Sequence, residues 1–155
     1  MQFRLAEHTD AESVSALINL AFRNAEAFLI ERDRIDIDSV RSLLEKGEFL
    51  LAEEEGALVG CGYVEVRGDR SYLGLLSVDP RRQKAGLGSK IMSACEEYCA
   101  KAGCRFMDLR IINVRQELPR FYHRLGYFET GTEPLTPGLK PKLPCHFITM
   151  SKPLR

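Results

Sequence analysis

Two closely spaced glycines stand in the segment Gln83-Lys84-Ala85-Gly86-Leu87-Gly88. The segment comes soon after an apolar run, residues 73–78, that is typical of a strand, and it opens a helical pattern. Unpaired backbone N–H groups and the helix dipole at such a helix start favour a bound phosphate. The sequence therefore predicts a phosphorylated ligand at this turn, although the glycines could also serve only to shape it.

The glycine spacing differs from that of two common phosphate loops. A P-loop ends in Gly-Lys-Ser/Thr, whereas the order here is Gly88-Ser89-Lys90. A Rossmann fingerprint needs a third glycine and a later acidic residue, and the third glycine is missing. Both differences disfavour a generic nucleotide-binding domain.

Further blocks of sequence carry a resemblance to a known family. Gln83, Gly86 and Gly88 fit the pattern Gln/Arg-x-x-Gly-x-Gly/Ala, Val78 and a proline two residues on precede it, and residues 121–127 read Phe-Tyr-His-Arg-Leu-Gly-Tyr. Together they resemble the coenzyme A loop, the Val-x-Pro and the Tyr-x-x-x-Gly-Phe/Tyr segment of the GNAT superfamily of N-acetyltransferases. The resemblance extends over most of the chain.

The resemblance implies the GNAT fold, an α/β domain whose mixed, mostly antiparallel sheet has central splayed strands and is flanked by helices. A single domain over residues 1–155 is expected. The patterns give the order βααβββαβαββ. Strands are predicted near residues 3–6, 49–52, 58–66, 71–78, 106–112, 127–130 and 146–150, helices near residues 9–23, 39–46, 86–102 and 116–124, and a proline-rich loop at 132–144.

In this family acetyl-CoA is the cosubstrate and no metal is required. The resemblance implies that the pantetheine pairs with the exposed strand backbone at Leu76, Ser77 and Val78. It also implies that the diphosphate rests on the turn formed by Gln83, Lys84, Ala85, Gly86, Leu87, Gly88 and Ser89. Lys84 and Ala85 replace the family's usual Gly and Lys, which is a mild departure because backbone donors do most of the binding.

Tyr122 is the leading catalytic candidate. By resemblance it is the general acid that protonates the departing thiolate, and the plain alternative is that it only packs against the sheet. Many relatives have an asparagine seven residues before this tyrosine, where Arg115 stands here. Either Arg115 or Asn113 could contact the cosubstrate, and Arg115 could instead contact a phosphate or an acidic acceptor.

The general base is less defined by the sequence. Many relatives use a carboxylate at the position of Tyr72. Glu65, on the preceding strand, is the substitute we assign, with Asp79 as another and a chain of water molecules as a third possibility. Each carboxylate could also be a solvated surface group.

Composition excludes several classes of function. The chain has 155 residues, with 22 Lys and Arg against 22 Asp and Glu, so nothing calls for nucleic acid or an anionic membrane as partner. No apolar run is long enough to span a bilayer, and the N-terminus lacks a signal-peptide pattern. A cytoplasmic protein is expected. The five cysteines and three histidines form no metal-ligand pattern, so buried free thiols are expected.

The resemblance implies a small-molecule or peptide amine as the acceptor. Acceptor specificity in the family usually comes from the segments corresponding to residues 24–37 and 132–145. Relatives often form homodimers, but no interface is readable here. A noncatalytic acyl-CoA-binding or regulatory module on the same fold is the alternative function.

Overall fold

The computed structural model describes residues 1–26, 34–135 and 141–154, and of residues 83–85 only the backbone. The strands are β1 (Gln2–Leu5), β2 (Glu48–Glu54), β3 (Ala57–Arg67), β4 (Arg70–Val78), β5 (Phe106–Ile112), β6 (Phe128–Pro134) and β7 (His146–Pro153). The helices are α1 (Ala11–Glu26), α2 (Ile37–Lys46), α3 (Leu87–Lys101) and α4 (Glu117–Arg124). Short 3₁₀ turns occupy His8–Asp10 and Pro80–Ala85. The predicted order of strands and helices is confirmed.

Three predicted boundaries are wrong by several residues. Strand β7 continues to Pro153 instead of ending near Met150. Helix α1 continues to Glu26 instead of ending near Arg23. The first residues of the predicted loop, 132–134, continue strand β6, where Pro134 pairs with His146 of β7. A proline is tolerated there because β6 is an edge strand with a partner on one side only.

All seven strands form one sheet in the order β1-β2-β3-β4-β5-β7-β6. Every neighbouring pair is antiparallel except β4 and β5, which are parallel. A parallel pair needs a crossover connection, and α3 supplies it. The predicted mixed, mostly antiparallel sheet is therefore confirmed.

The sheet has a hydrophobic core on each face. On one face α1 and α2 cover residues such as Phe49 and Tyr63. On the other face α3 and α4 cover a larger core that includes Ile91 and Met107. The core on the α3 side depends on close approach, because a Cβ at Gly62 would lie 2.9 Å from the Sγ of Cys95.

The cysteines are all free thiols, as expected. Cys61, Cys95, Cys99 and Cys104 are buried, and Cys145 is half-buried. Within the described ranges, no group of three or more His, Cys, Asp or Glu side chains is placed to hold a metal ion. The helices of the same ranges include none that is long and apolar enough to cross a bilayer.

Candidate functional site

A gap opens between β4 and β5 in the middle of the sheet. The two strands pair only where residues 70–72 meet residues 106–108. Beyond that point β4 continues along β3, while β5 continues along β7. The edge of β4 from residue 73 to residue 78 therefore has no strand partner toward β5 in the described part of the chain. The expected splayed strands are confirmed.

A β-bulge at Leu75 lies where β4 leaves β5. Leu75 has a left-handed φ of 53°, and the register with β3 shifts between Cys61 and Tyr63. One extra residue in β4 changes which face the following side chains occupy and bends the strand. A left-handed leucine costs about 1–2 kcal/mol, so the surrounding packing must hold it. The bulge therefore lies in the part of β4 that has left β5 and borders the gap.

The start of α3 lies beside the end of β4. Asp79 caps the intervening 3₁₀ turn by accepting hydrogen bonds from the backbone N–H and the guanidinium of Arg81, and this guanidinium lowers the pKa of Asp79. Gly86 then adopts φ 70° and serves as N-cap of α3. A Cβ at Gly86 would have no atom within 4 Å. The glycine is therefore required by its backbone angle, and the space beside it is open.

One groove of about 1530 Å³ connects these features. It crosses the sheet at the gap and reaches from the start of α3 to the C-terminal end of α1. Eight of the predicted site residues line it, namely Glu65, Leu76, Val78, Gly86, Gly88, Ser89, Arg115 and Tyr122. The structure thus brings together the proposed phosphate turn, the open strand edge and the proposed acid.

Other predicted site residues are placed differently. Ser77 and Leu87 are buried, with 2% and 1% exposure, and are not among the residues that line the groove. The side chain of Asn113 is held by His146, because the backbone N–H of His146 donates a hydrogen bond to the Oδ1 of Asn113 at 2.9 Å. Gln83, Lys84 and Ala85 contribute backbone to the 3₁₀ turn, and their side chains lie outside the described part of the structure.

Tyr122 is presented to the groove by α4. It is 6% exposed, and its ring packs edge-on against Phe121 and Tyr127. Phe121 also lies close to the start of α3, since a Cβ at Gly88 would be 3.4 Å from its ring. Burial raises the pKa of Tyr122, although the charge of Arg115 acts in the opposite direction. The hydroxyl therefore keeps its proton at neutral pH.

Glu65 lies on β3 directly opposite Tyr72 of β4 and faces the groove. Its carboxylate accepts hydrogen bonds from the Tyr63 hydroxyl at 2.7 Å and from the Arg67 guanidinium at 2.8 Å. Burial alone would raise the pKa of Glu65, but these hydrogen bonds outweigh it and the pKa is lowered. Glu65 is therefore ionised at neutral pH and weakly basic.

Arg115 is engaged by acidic side chains on both sides. It donates to Glu26 at 3.1 Å and to Glu117 at 2.9 Å. The pair with Glu26 is nearly buried, with side-chain exposures of 16% and 5%. Arg115 therefore holds Glu26 in the groove. Its contact with the cosubstrate, a phosphate or an acidic acceptor stays a prediction.

Glu26 and Arg34 line the groove and were missed as individual site residues. The only sequence signal was their place in the segment 24–37, which the resemblance linked to acceptor specificity. The residues between them, 27–33, lie outside the described structure, as do residues 136–140 of the other such segment.

Comparison with known proteins agrees with this architecture. The family model described as Acetyltransferase (GNAT) family matches residues 11–127. Mycothiol acetyltransferase of Acidimicrobium ferrooxidans is 31% identical over 116 residues, which are 67% of this chain but only 37% of that relative's length. The uncharacterized N-acetyltransferase YhfO of Bacillus subtilis is 26% identical over 144 residues, covering 83% of this chain and 91% of YhfO.

Solved structures share the fold at low identity. Ribosomal-protein-alanine N-acetyltransferase from Brucella melitensis superposes with a TM-score of 0.79 and 20% identity, covering 99% of this chain and all of that one (100%). The protein yncA from Salmonella typhimurium was solved with its cofactor acetyl-CoA. It superposes with a TM-score of 0.77 and 23% identity, covering 100% of this chain and 94% of yncA. The match of the family model over most of the chain shows that the protein belongs to the GNAT family of acetyltransferases.

Proposed function

We propose that this protein is an N-acetyltransferase that moves an acetyl group from acetyl-CoA to a primary amine by direct attack. The observation that carries the proposal is the groove. It joins the unpaired edge of β4, the start of α3 and the hydroxyl-bearing Tyr122 in one cavity. The acceptor is a small molecule or a peptide.

The chain's own groups fit acetyl-CoA along this groove. Backbone groups of Leu76, Ser77 and Val78 are free of a strand partner toward β5 and match the amides of pantetheine. At the start of α3, unpaired N–H groups and the helix dipole favour the diphosphate. Ser89 lines the groove there and adds a hydroxyl. Acetyl-CoA, when bound, supplies an acyl group activated as a thioester.

Tyr122 performs the proton transfer to the leaving group. The amine nitrogen bonds to the carbonyl carbon, the carbon–sulfur bond breaks, and the sulfur takes the Tyr122 proton. A backbone N–H of the unpaired β4 edge would stabilise negative charge on the carbonyl oxygen. Burial raises the pKa of Tyr122, so its hydroxyl carries a proton at neutral pH and can act there only as the acid.

Glu65 remains the proposed general base because it faces the groove beside Tyr72. It takes the proton that the amine must lose. Its ion pair with Arg67 makes it a weak base, so its contribution is expected to be smaller than that of Tyr122. The same ion pair favours the second candidate, a noncatalytic acyl-CoA-binding module.

Binding and turnover separate these candidates. Isothermal titration with acetyl-CoA, CoA and ATP should show binding of the two CoA compounds and much weaker binding of ATP. Release of CoA thiol in the presence of polyamines, amino acids, aminoglycosides or peptides would then establish the enzyme. Binding without turnover on any amine would favour the module, and equal binding of ATP would refute both.

A further inference from the structure

Two polar atoms of the groove are buried without a hydrogen-bond partner. They are the Oε1 of Glu26 and the Nε of Arg34, and no other side-chain nitrogen or oxygen in the described residues has this status. Both residues line the groove. Buried polar groups are normally paired, so each exception needs an explanation. Both unpartnered atoms belong to residues of the same groove. This indicates that a bound ligand would supply the missing hydrogen-bond partners.

Arg34 is a cation without an acidic partner among the described residues. Two other groove arginines are neutralised, Arg67 by Glu65 at 2.8 Å and Arg70 by Asp108 at 2.6 Å. The guanidinium of Arg34 instead lies 5.2 Å from the centre of the Phe22 ring. An uncompensated charge removed from water is costly, and a bound anion would offset that cost.

The surroundings of Arg34 strengthen the case for an anion. Burial lowers the pKa of Arg34, which shows that its charge has lost much of its hydration. The negative charge of Glu26 and the positive charge of Arg110 both act on it. The planar guanidinium matches a carboxylate, which it can bind through two parallel hydrogen bonds.

Glu26 offers a hydrogen-bond acceptor to the ligand, where Arg34 offers a cation. The residue is 4% exposed, and Arg115 occupies only its Oε2. The free Oε1 can accept a hydrogen bond from an ammonium group, the form in which an amine arrives at neutral pH. Arg115 fixes the carboxylate through Oε2 and leaves Oε1 as the acceptor atom of Glu26 without a partner.

We propose that the acceptor is an amino acid, whose carboxylate binds Arg34 and whose ammonium group binds Glu26. This inference rests on the proposed acetyltransferase function and names its substrate class. A polyamine would leave Arg34 without an anion, and a peptide N-terminus would carry no carboxylate near the reacting nitrogen. Sites with buried charged partners discriminate strongly against substrates that lack the matching group.

The test compares each common L-amino acid with the amino acid amide of the same side chain. CoA release should be faster for the preferred acid than for its amide, by about 10- to 100-fold in kcat/KM. Arg34→Gln should abolish this preference and leave acetyl-CoA affinity unchanged, whereas Arg34→Lys should retain part of it. Arg70→Gln removes the same charge from a groove arginine that is already paired, and it should keep the preference.

The outcomes distinguish the two proposals. Turnover of amines with no preference for the acids, or a preference that survives Arg34→Gln, overturns the inference while the acetyltransferase function stands. If no amine is turned over, the function fails, and calorimetric binding of the same acids and amides to the protein mixed with acetyl-CoA decides the inference. Tighter binding of an acid, lost in Arg34→Gln, supports it, and equal or absent binding of both compounds overturns it.

Discussion

At the scale of single residues, Tyr122 lines the groove, whereas Tyr127 is not among the groove-lining residues. The hydroxyl of Tyr127 instead donates to Glu96 at 2.8 Å. Both rings are buried and touch each other edge-on. The pair therefore offers the same chemical change at a proposed catalytic position and at a structural one.

Tyr122→Phe should lower kcat by about 100-fold, because it removes only the proton donor of the leaving-group step. Acetyl-CoA affinity, measured by calorimetry, should remain nearly unchanged. Tyr127→Phe is the matched control and should retain turnover while losing some stability. Equal activity of Tyr122→Phe and the wild type would remove Tyr122 from the mechanism.

Glu65 allows a prediction about pH. Its hydrogen bonds from Tyr63 and Arg67 lower its pKa from the usual range of a glutamate, so the group is ionised throughout the neutral range. Glu65→Gln should therefore reduce kcat/KM by about tenfold, less than a well-matched base would contribute. The ratio of wild-type to variant rates should be constant between about pH 6 and pH 8, since only the amine titrates there. A ratio of one at each pH would exclude Glu65 as the base.

At the scale of elements, the close packing of α3 on β3 depends on the absence of a side chain at Gly62. The Cβ that Gly62→Ala introduces would lie 2.9 Å from the Sγ of Cys95. The substitution should reduce the free energy of unfolding by about 1–3 kcal/mol, measured by urea denaturation. In the background of Cys95→Ala the cost should be clearly smaller, because the clashing sulfur is gone.

Gly131→Ala is the control for this packing effect. Its Cβ would have the Oγ1 of Thr149 at 3.5 Å as its nearest contact, which is an ordinary distance. Its free energy of unfolding should change little. Full additivity of Gly62→Ala and Cys95→Ala would show that close packing of α3 on β3 is not the reason for the glycine.

The turn before α3 contains Gly86, whose backbone angle favours glycine and whose amide is proposed to bind the diphosphate of CoA. Gly86→Val should weaken CoA binding by about tenfold or more, because a β-branched residue disfavours φ 70° and narrows the approach to the backbone. Gly68→Val is a matched control, since Gly68 has φ 69° and open space but lies in the β3–β4 turn outside the groove lining. It should lose comparable stability and bind CoA normally. Normal CoA affinity in Gly86→Val would place the diphosphate elsewhere.

Local sequence patterns predicted the elements far better than their ends. The period of apolar residues and the glycine punctuation were sufficient for the order of strands and helices. The continuation of β6 through Pro134 was not predictable, because it depends on an edge position that only the assembled sheet defines. The left-handed Leu75 was equally hidden, since leucine rarely adopts that conformation.

At the scale of the whole molecule, the sheet separates two halves of the site. The α3 and α4 side holds the turn at Gly86 and the hydroxyl of Tyr122, and the α1 and α2 side holds Glu26 and Arg34. The gap between β4 and β5 is the passage between them. Spacing along the chain revealed the first half, whereas the second depends on Arg115 meeting Glu26 across 89 positions of sequence. Such a contact is a property of the folded chain.

A crystal structure of the protein soaked with acetyl-CoA tests the central claim most directly. We predict density for the pantetheine along residues 76–78 of β4 and for the diphosphate within hydrogen-bond distance of the backbone amides around Gly86 and Gly88. The thioester sulfur should lie within reach of the Tyr122 hydroxyl. A cosubstrate seated elsewhere, with the gap between β4 and β5 left unfilled, would contradict this account.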